Sequence, residues 1–342
     1  MLIVASDTHR AHHPRTPFLD RGVLVDHAEV PERVDRILAA IAEANLGPAV
    51  APGRHGTEPI TRVHTAEYLE FLEHAHARWR EETDLDEASE AAAYARPIRD
   101  QPLVELENVI AQLGWYSHDT DPILAGTYAA AVGAVDATLS AWEAVADGRE
   151  RVAYACARPP GHHAATDSFG GYCYFNNAAV AAQAWSDRGA RVAIVDVDYH
   201  HGNGTQQIFY DRDDVLFVSL HADPGFEYPF FLGFAGERGW GAGEDANRNF
   251  PLPRGTQWDA YGAALDDALA VVRKFGPDAV VVSLGVDTAL EDPDTFRLGA
   301  DDYPRLGGQI AALGRPTLVV QEGGYCLDVL GRNVVGVLRE LA

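Results

Sequence analysis

Short apolar runs punctuate the chain at Leu2–Ala5, Val152–Cys156, Val192–Val197, Val215–Leu220, Ala279–Leu284 and Thr317–Gln321. Their length and their content of Val, Ile and Leu predict strands rather than helices. Between several of them lie Ala-rich segments of helical length, at Asn176–Trp185, Trp258–Val272 and Ala300–Leu313. Strands alternating with helices suit β-α-β crossovers, which place strands parallel. The expected fold class is α/β, an open multi-stranded parallel sheet with helices on both faces.

One stretch breaks the rhythm. From about Trp79 to Thr127 the chain runs through REETDLDEASE, ARPIRDQP and ENVIAQLGWYSHDTDP. So long a connection inside a compact domain is usually functional. It is expected to be an insertion near the entrance of the active site. The rest of the 342 residues is expected to form one domain, residues 1–342, since α/β sheets of this size often share a single core.

Composition narrows the partners. The formal net charge of -24 opposes binding to nucleic acid and favours cationic ligands. Cys156, Cys173 and Cys326 have neither the close spacing of a zinc knuckle nor the number of a disulfide framework, which fits a reducing cytoplasm. The opening MLIVASDTH lacks the cationic start and long apolar stretch of a secretory leader. No run approaches the roughly 18 apolar residues of a membrane span, so no membrane partner is expected.

The chemistry collects where predicted strands end. Val152–Cys156 runs into Arg158-Pro159-Pro160-Gly161-His162-His163, and Val192–Val197 into Asp198-Tyr199-His200-His201-Gly202-Asn203. Ala279–Leu284 leads to Gly285-Val286-Asp287, and Thr317–Gln321 to Glu322-Gly323-Gly324-Tyr325. Carboxyl ends of parallel strands share one edge of a sheet, so these residues should converge. Asp196, Asp198 and His200 alternate and can share a face. Asp198 and His200 with Asp287 make two carboxylates and an imidazole, a set suited to zinc or ferrous iron rather than magnesium. His162 and His163 supply acid and base chemistry near neutral pH, and Tyr325, after two glycines, is placed to stabilise an oxyanion.

Together RPPGHHA, GGYCYFNNAAVAA, VDVDYHHGNGTQ, VSLHADP, SLGVDT and QEGGY resemble the motifs of the histone deacetylase superfamily. The resemblance runs from RVHTAEYLEFL to EGGYCLDVLGRNV and implies an arginase-like α/β fold with the active site at the carboxyl ends of the strands. It further implies Asp198, His200 and Asp287 as zinc ligands, His162 and His163 as the acid/base pair, and Tyr325 as the carbonyl-polarising residue. Asp196 would support His162, and Asn203 stands where some relatives carry an Asp beside the second histidine. A structural potassium ion would lie at Asp196, Asp198, His200, Ser219 and Leu220. Gly171 and Tyr172, with Tyr228 or Phe226, would wall the substrate tunnel.

Within that superfamily, ADPGFEYPFFLGFAGERGWGAG and LGVDTALEDPDTFRLGADDY are most similar to the acetylpolyamine amidohydrolases. That branch implies a small cationic acetylated amine as substrate, a homodimer whose insertion narrows the tunnel, and acidic rim residues at Asp294 and at Asp119 or Asp121. The competing activities are a deacetylase of acetyl-lysine in proteins, a dinuclear manganese ureohydrolase and a ligand sensor without catalysis. The ureohydrolase would need carboxylate bridges for which Asp196 is the spare candidate; an intact His162, His163 and Tyr325 oppose the sensor.

Overall fold

The computed structural model describes residues 1–20, 23–83, 106–292 and 295–342. In chain order its elements are β1 (Leu2–Val4), the hairpin β2 (Phe18–Asp20) and β3 (Val23–Val25), α1 (Glu32–Glu43), β4 (Ala49–Val50), α2 (Glu58–Thr61), α3 (Ala66–Thr83), α4 (Val109–Tyr116) and α5 (Thr127–Ala146). There follow β5 (Val152–Ala155), α6 (Asn177–Ser186), β6 (Val192–Asp196), α7 (Asn203–Phe209), β7 (Val215–Ala222), β8 (Asn247–Leu252), α8 (Trp258–Phe275), β9 (Ala279–Leu284), α9 (Asp302–Ala311), β10 (Thr317–Gln321) and α10 (Leu327–Leu341).

Eight strands form one parallel sheet in the order β4-β1-β5-β10-β9-β6-β7-β8. Alternate residues serve alternate faces. Ile194, Phe217, Val281 and Val320 join Trp79, Leu113, Trp142 and Val180 of α3 to α6 in one core. Val195, Val218, Val282 and Val319 join Ile37, Leu265, Leu306 and Val334 of α1, α8, α9 and α10 in the other. Covering both faces is why these strands read as continuous apolar runs.

The four strands whose ends carry the chemistry, β5, β10, β9 and β6, are neighbours in the middle of the sheet. Their register is fixed pair by pair, for example Val320 opposite Ser283 and Asp196 opposite Ser283. Side chains leaving their carboxyl ends therefore meet over the centre of the molecule.

The sequence places a long insertion between Trp79 and Thr127. Trp79 itself lies inside α3 and is 1% exposed, and α4 packs back through Val109, Leu113 and Tyr116. The stretch between, 84–105, lies outside the described residues. So do Pro293 and Asp294, and with Asp294 one of the expected rim carboxylates.

Candidate active site

Asp198, His200 and Asp287 offer ligand atoms that all lie within 4.8 Å of one another. His200 Nδ1 is 3.3 Å from Asp198 Oδ1 and 3.2 Å from Asp287 Oδ2. Backbone amides aim both carboxylates: Asp198 accepts from His200 N at 2.8 Å and Gly323 N at 2.7 Å, and Asp287 accepts from Tyr199 N at 3.0 Å. Val197 and Tyr199 point the other way, into the core, as the alternation predicts.

The set fits a metal ion on two counts. First, the backbone approaches it as only glycine permits. A Cβ on Gly285 would stand 2.0 Å from Asp198 Oδ2, and one on Gly323 would stand 2.4 Å from Asp287 Oδ2 and 2.6 Å from Asp198 Oδ2. Second, the buried carboxylates demand positive charge. Burial, and next Asp198, push Asp287 up from the usual carboxylate range. Burial also works against ionised Asp198, but His162 and His200 overcome it and hold this carboxyl down. Burial lowers His200, yet its hydrogen bonds and charge contacts with Asp198 and Asp287 raise it to about 10. A divalent cation held by the three would supply the charge that those carboxylates otherwise draw from the imidazole.

The tandem histidines stand beside this set, their ring centroids 4.0 Å apart. His162 donates from Nδ1 to Asp196 Oδ2 at 3.0 Å, while His163 donates from Nδ1 to Asn203 Oδ1 at 2.6 Å. Burial opposes the charged form of both. For His162 the carboxylates of Asp198 and Asp196 prevail and raise it to about 10. Among the described residues no carboxylate is hydrogen-bonded to His163, and burial, His162 and His200 keep it well below the ordinary value. The Tyr325 ring lies 5.8 Å from that of Tyr172, and burial pushes its hydroxyl well above 10, so it remains a donor.

A cavity of about 570 Å³ opens onto this centre. Gly171, Tyr172, Tyr228, Phe230, Phe231, His163, His200, Asp287 and Tyr325 line it, as do Asp119, Asp121, Glu227 and Asp292. No Lys or Arg is among its described lining residues. A separate groove of about 700 Å³ between α1, α9 and α10 contains none of these residues.

Residues 27–341 match the histone deacetylase domain. The chain belongs to that family. It is 50% identical, over 99% of its own length and 98% of the relative's, to acetylpolyamine amidohydrolase 1 of Pseudomonas aeruginosa. It is 45% identical to the acetylpolyamine amidohydrolase of Mycoplana ramosa, covering 100% of both chains. The crystal structure of the acetylpolyamine aminohydrolase from Burkholderia pseudomallei matches with a TM-score of 0.92 and 42% identity, covering 100% of this chain and 98% of that one. The chain is thus a hydrolytic enzyme acting on amides, built on the α/β fold expected from its sequence.

Several expected residues take other places. Phe226 is not part of the cavity wall: it packs against the core on the α8 side, with the Arg254 guanidinium 4.6 Å above its ring. Tyr228 faces inward, its ring 4.9 Å from His163. Asp121 is no exposed rim carboxylate either, being 4% exposed and accepting from Tyr172 N at 2.7 Å. Asp119 accepts from Gly171 N at 3.3 Å and borders the cavity. Of the five residues expected around potassium, Asp196 and Ser219 are register partners across β6 and β7, and Leu220 follows in β7.

Other contributors lie outside the expected set. Glu322, in the quoted QEGGY motif, accepts from Gly161 N at 2.7 Å and His162 N at 3.2 Å, so it fixes the backbone of the tandem histidines. Burial raises it to about 7. With His162 and Cys173 it forms a second trio within 4.8 Å. That trio suits a metal poorly, because burial pushes the Cys173 thiol well up and Asp196 already holds His162. Buried Glu29 bridges Arg33 and Arg158, each at 2.8 Å. Arg33 continues to the carbonyls of Glu322 and Gly324, tying the loop of Tyr325 to the loop of His162. Neither Glu29 nor Arg33 sits in a motif that would signal this.

Proposed function

We propose that this enzyme removes acetyl groups from acetylated polyamines at a single metal held by Asp198, His200 and Asp287, zinc or alternatively ferrous iron. The observation that carries the reading is the convergence of this ligand set, the tandem histidines and Tyr325 at a cavity lined by carboxylates, with no Lys or Arg among its described lining residues. When bound, the metal supplies Lewis-acid polarisation of the amide carbonyl and makes a water acidic.

The chain's own groups do the rest. His163, hydrogen-bonded through Nδ1 to a neutral amide, leaves Nε2 free to take the proton of the attacking water. His162, paired with the Asp196 carboxylate, retains positive charge beside the developing oxyanion. Tyr325 donates its hydroxyl to the former carbonyl oxygen, and the proton collected by His163 passes to the departing amine. Tyr172, Gly171 and Tyr228 confine the acylated chain, while Asp119 faces the distal ammonium groups; the rim position of Asp294 is assigned on sequence alone.

Asp196, Asp198, His200, Ser219 and Leu220 are assigned to a structural potassium ion. The 79–127 insertion is assigned to an entrance formed with a second copy of the chain, within one domain spanning 1–342. A dinuclear manganese centre is disfavoured because Asp196, its candidate bridge, is engaged by His162 and by Asp198 N at 3.1 Å. The free cysteines suit the cytoplasm, and no helix among the described residues is long and apolar enough to cross a membrane.

Elemental analysis of the purified active enzyme tests the centre. About one transition metal per chain is expected from one three-ligand set. Two manganese ions per chain would replace this reading with the ureohydrolase one.

A further inference from the structure

Among the groups outside the catalytic constellation, one buried polar network stands under the cavity wall. The wall is the chain between β7 and β8, which carries Tyr228, Phe230 and Phe231. Phe230 has φ +66, a left-handed conformation that a bulky side chain rarely adopts, and Phe231 is 83% exposed. Neither residue belongs to a hydrophobic core among the described residues. A segment like this keeps one shape only where neighbouring groups over-determine it.

Besides the turn bonds from Phe230 N to Glu227 O at 3.0 Å and from Phe231 N to Pro229 O at 2.8 Å, those neighbours lie at Gly233. Its N–H donates to Glu237 Oε2 at 2.8 Å, and its carbonyl accepts from His221 Nε2 at 2.8 Å. His221 Nδ1 in turn accepts from the Ser219 hydroxyl at 2.7 Å. Glu237 Oε2 also accepts from Gln206 Nε2 at 2.7 Å and Asn249 Nδ2 at 3.3 Å. Gln206 belongs to α7, the helix that begins with Asn203, the partner of His163. There is no room for a larger residue at 233: φ is +112, and a Cβ would stand 2.9 Å from both His201 Cγ and His221 Nε2.

We propose that Glu237 is a positioning residue that determines specificity: through Gly233 it fixes the Phe230–Phe231 wall and so sets the width of the substrate entrance. The inference rests on reading this cavity as the way in for the acylated amine. Glu237 does not line the cavity, so its effect falls on which amines enter and bind, not on the bond-breaking step.

The test uses metal-loaded enzyme and two acetylated amines of different girth, N-acetylputrescine and an acetyl-lysine coumarin amide. In Glu237→Ala, KM for acetylputrescine should rise about tenfold with kcat nearly unchanged, and the preference for the slender amine should fall by a similar factor. Glu237→Gln, which keeps an acceptor for Gly233 N, should recover part of the loss. Phe231→Ala, at a mostly exposed position, should shift the preference in the same direction and reads the wall directly even if Glu237→Ala does not fold. An unchanged preference in Phe231→Ala, or in a folded, metal-replete Glu237 variant, would overturn the proposal. So would an equal fall in kcat on both substrates. A wild-type enzyme inactive on both amines would instead overturn the functional reading beneath it.

Discussion

His162 and His163 are adjacent in sequence, yet one imidazole leans on a carboxylate and the other on an amide. That difference in partner, one residue apart, separates a group that keeps its proton from one that can exchange it. The meeting of these groups was legible as residue types in the sequence, since a Pro-Pro-Gly bend followed by two histidines faces a strand end bearing Asp196, Asp198 and His200. Phe226 was misplaced because the direction of a side chain in the 223–232 segment depends on turns that alternation does not encode. Tyr325 offers the sharpest test at this scale. Tyr325→Phe removes one donor without emptying the pocket, so turnover should fall about 10²–10³-fold while metal content stays at the wild-type level. Near wild-type turnover, measured alongside elemental analysis, would take the hydroxyl out of the mechanism.

Among the elements, the central strands announced themselves because they are apolar on both faces, and β9 and β10 fall where the apolar runs place them. β8 was missed for a physical reason: its sequence NRNFPL turns Asn247 and Asn249 into the polar network under the cavity wall, so it carries no apolar run. β4 has two residues, too few for any pattern. Connections between elements also depend on neutral buried histidines. His64 donates from Nδ1 to Ala165 O at 2.8 Å and accepts from Asn176 N at 2.9 Å, linking the start of α6 to the segment after the tandem histidines. Burial lowers it to about 4, against an ordinary value near 6.5. Between those pH values the unfolded chain binds a proton that the folded one refuses, so this contribution to stability is present above about pH 6.5 and is lost as pH falls toward 4. Glu322 and Asp292, raised to about 7 chiefly by burial, act with the opposite sign. A variant isolates the histidine: on acidification from about pH 6.5 to 4.5 the wild type should lose more melting temperature than His64→Gln. Equal losses in the two proteins would show that His64 does not titrate as described.

For the whole molecule, a net charge of -24 and a cavity bordered by Asp119 and Glu227 point the same way, toward a cationic substrate. Surface charge is screened over about 10 Å at ordinary salt, so the carboxylates at the cavity matter more than the total. The meeting of Asp198, His200 and Asp287 was legible because each stands just past the end of an apolar strand. The rim was not, because its residues come from loops whose course no periodicity fixes: Asp121 turned inward onto Tyr172 N, and Asp294 lies outside the described residues. Action on acetylated polyamines is checked by comparing kcat/KM for acetylputrescine and acetylspermidine with that for acetyl-lysine peptides, at low and moderate salt. The polyamines should be favoured on the order of tenfold, about 1.4 kcal/mol, by a margin that narrows as salt rises. Equal or better efficiency on the peptides would contradict the polyamine assignment.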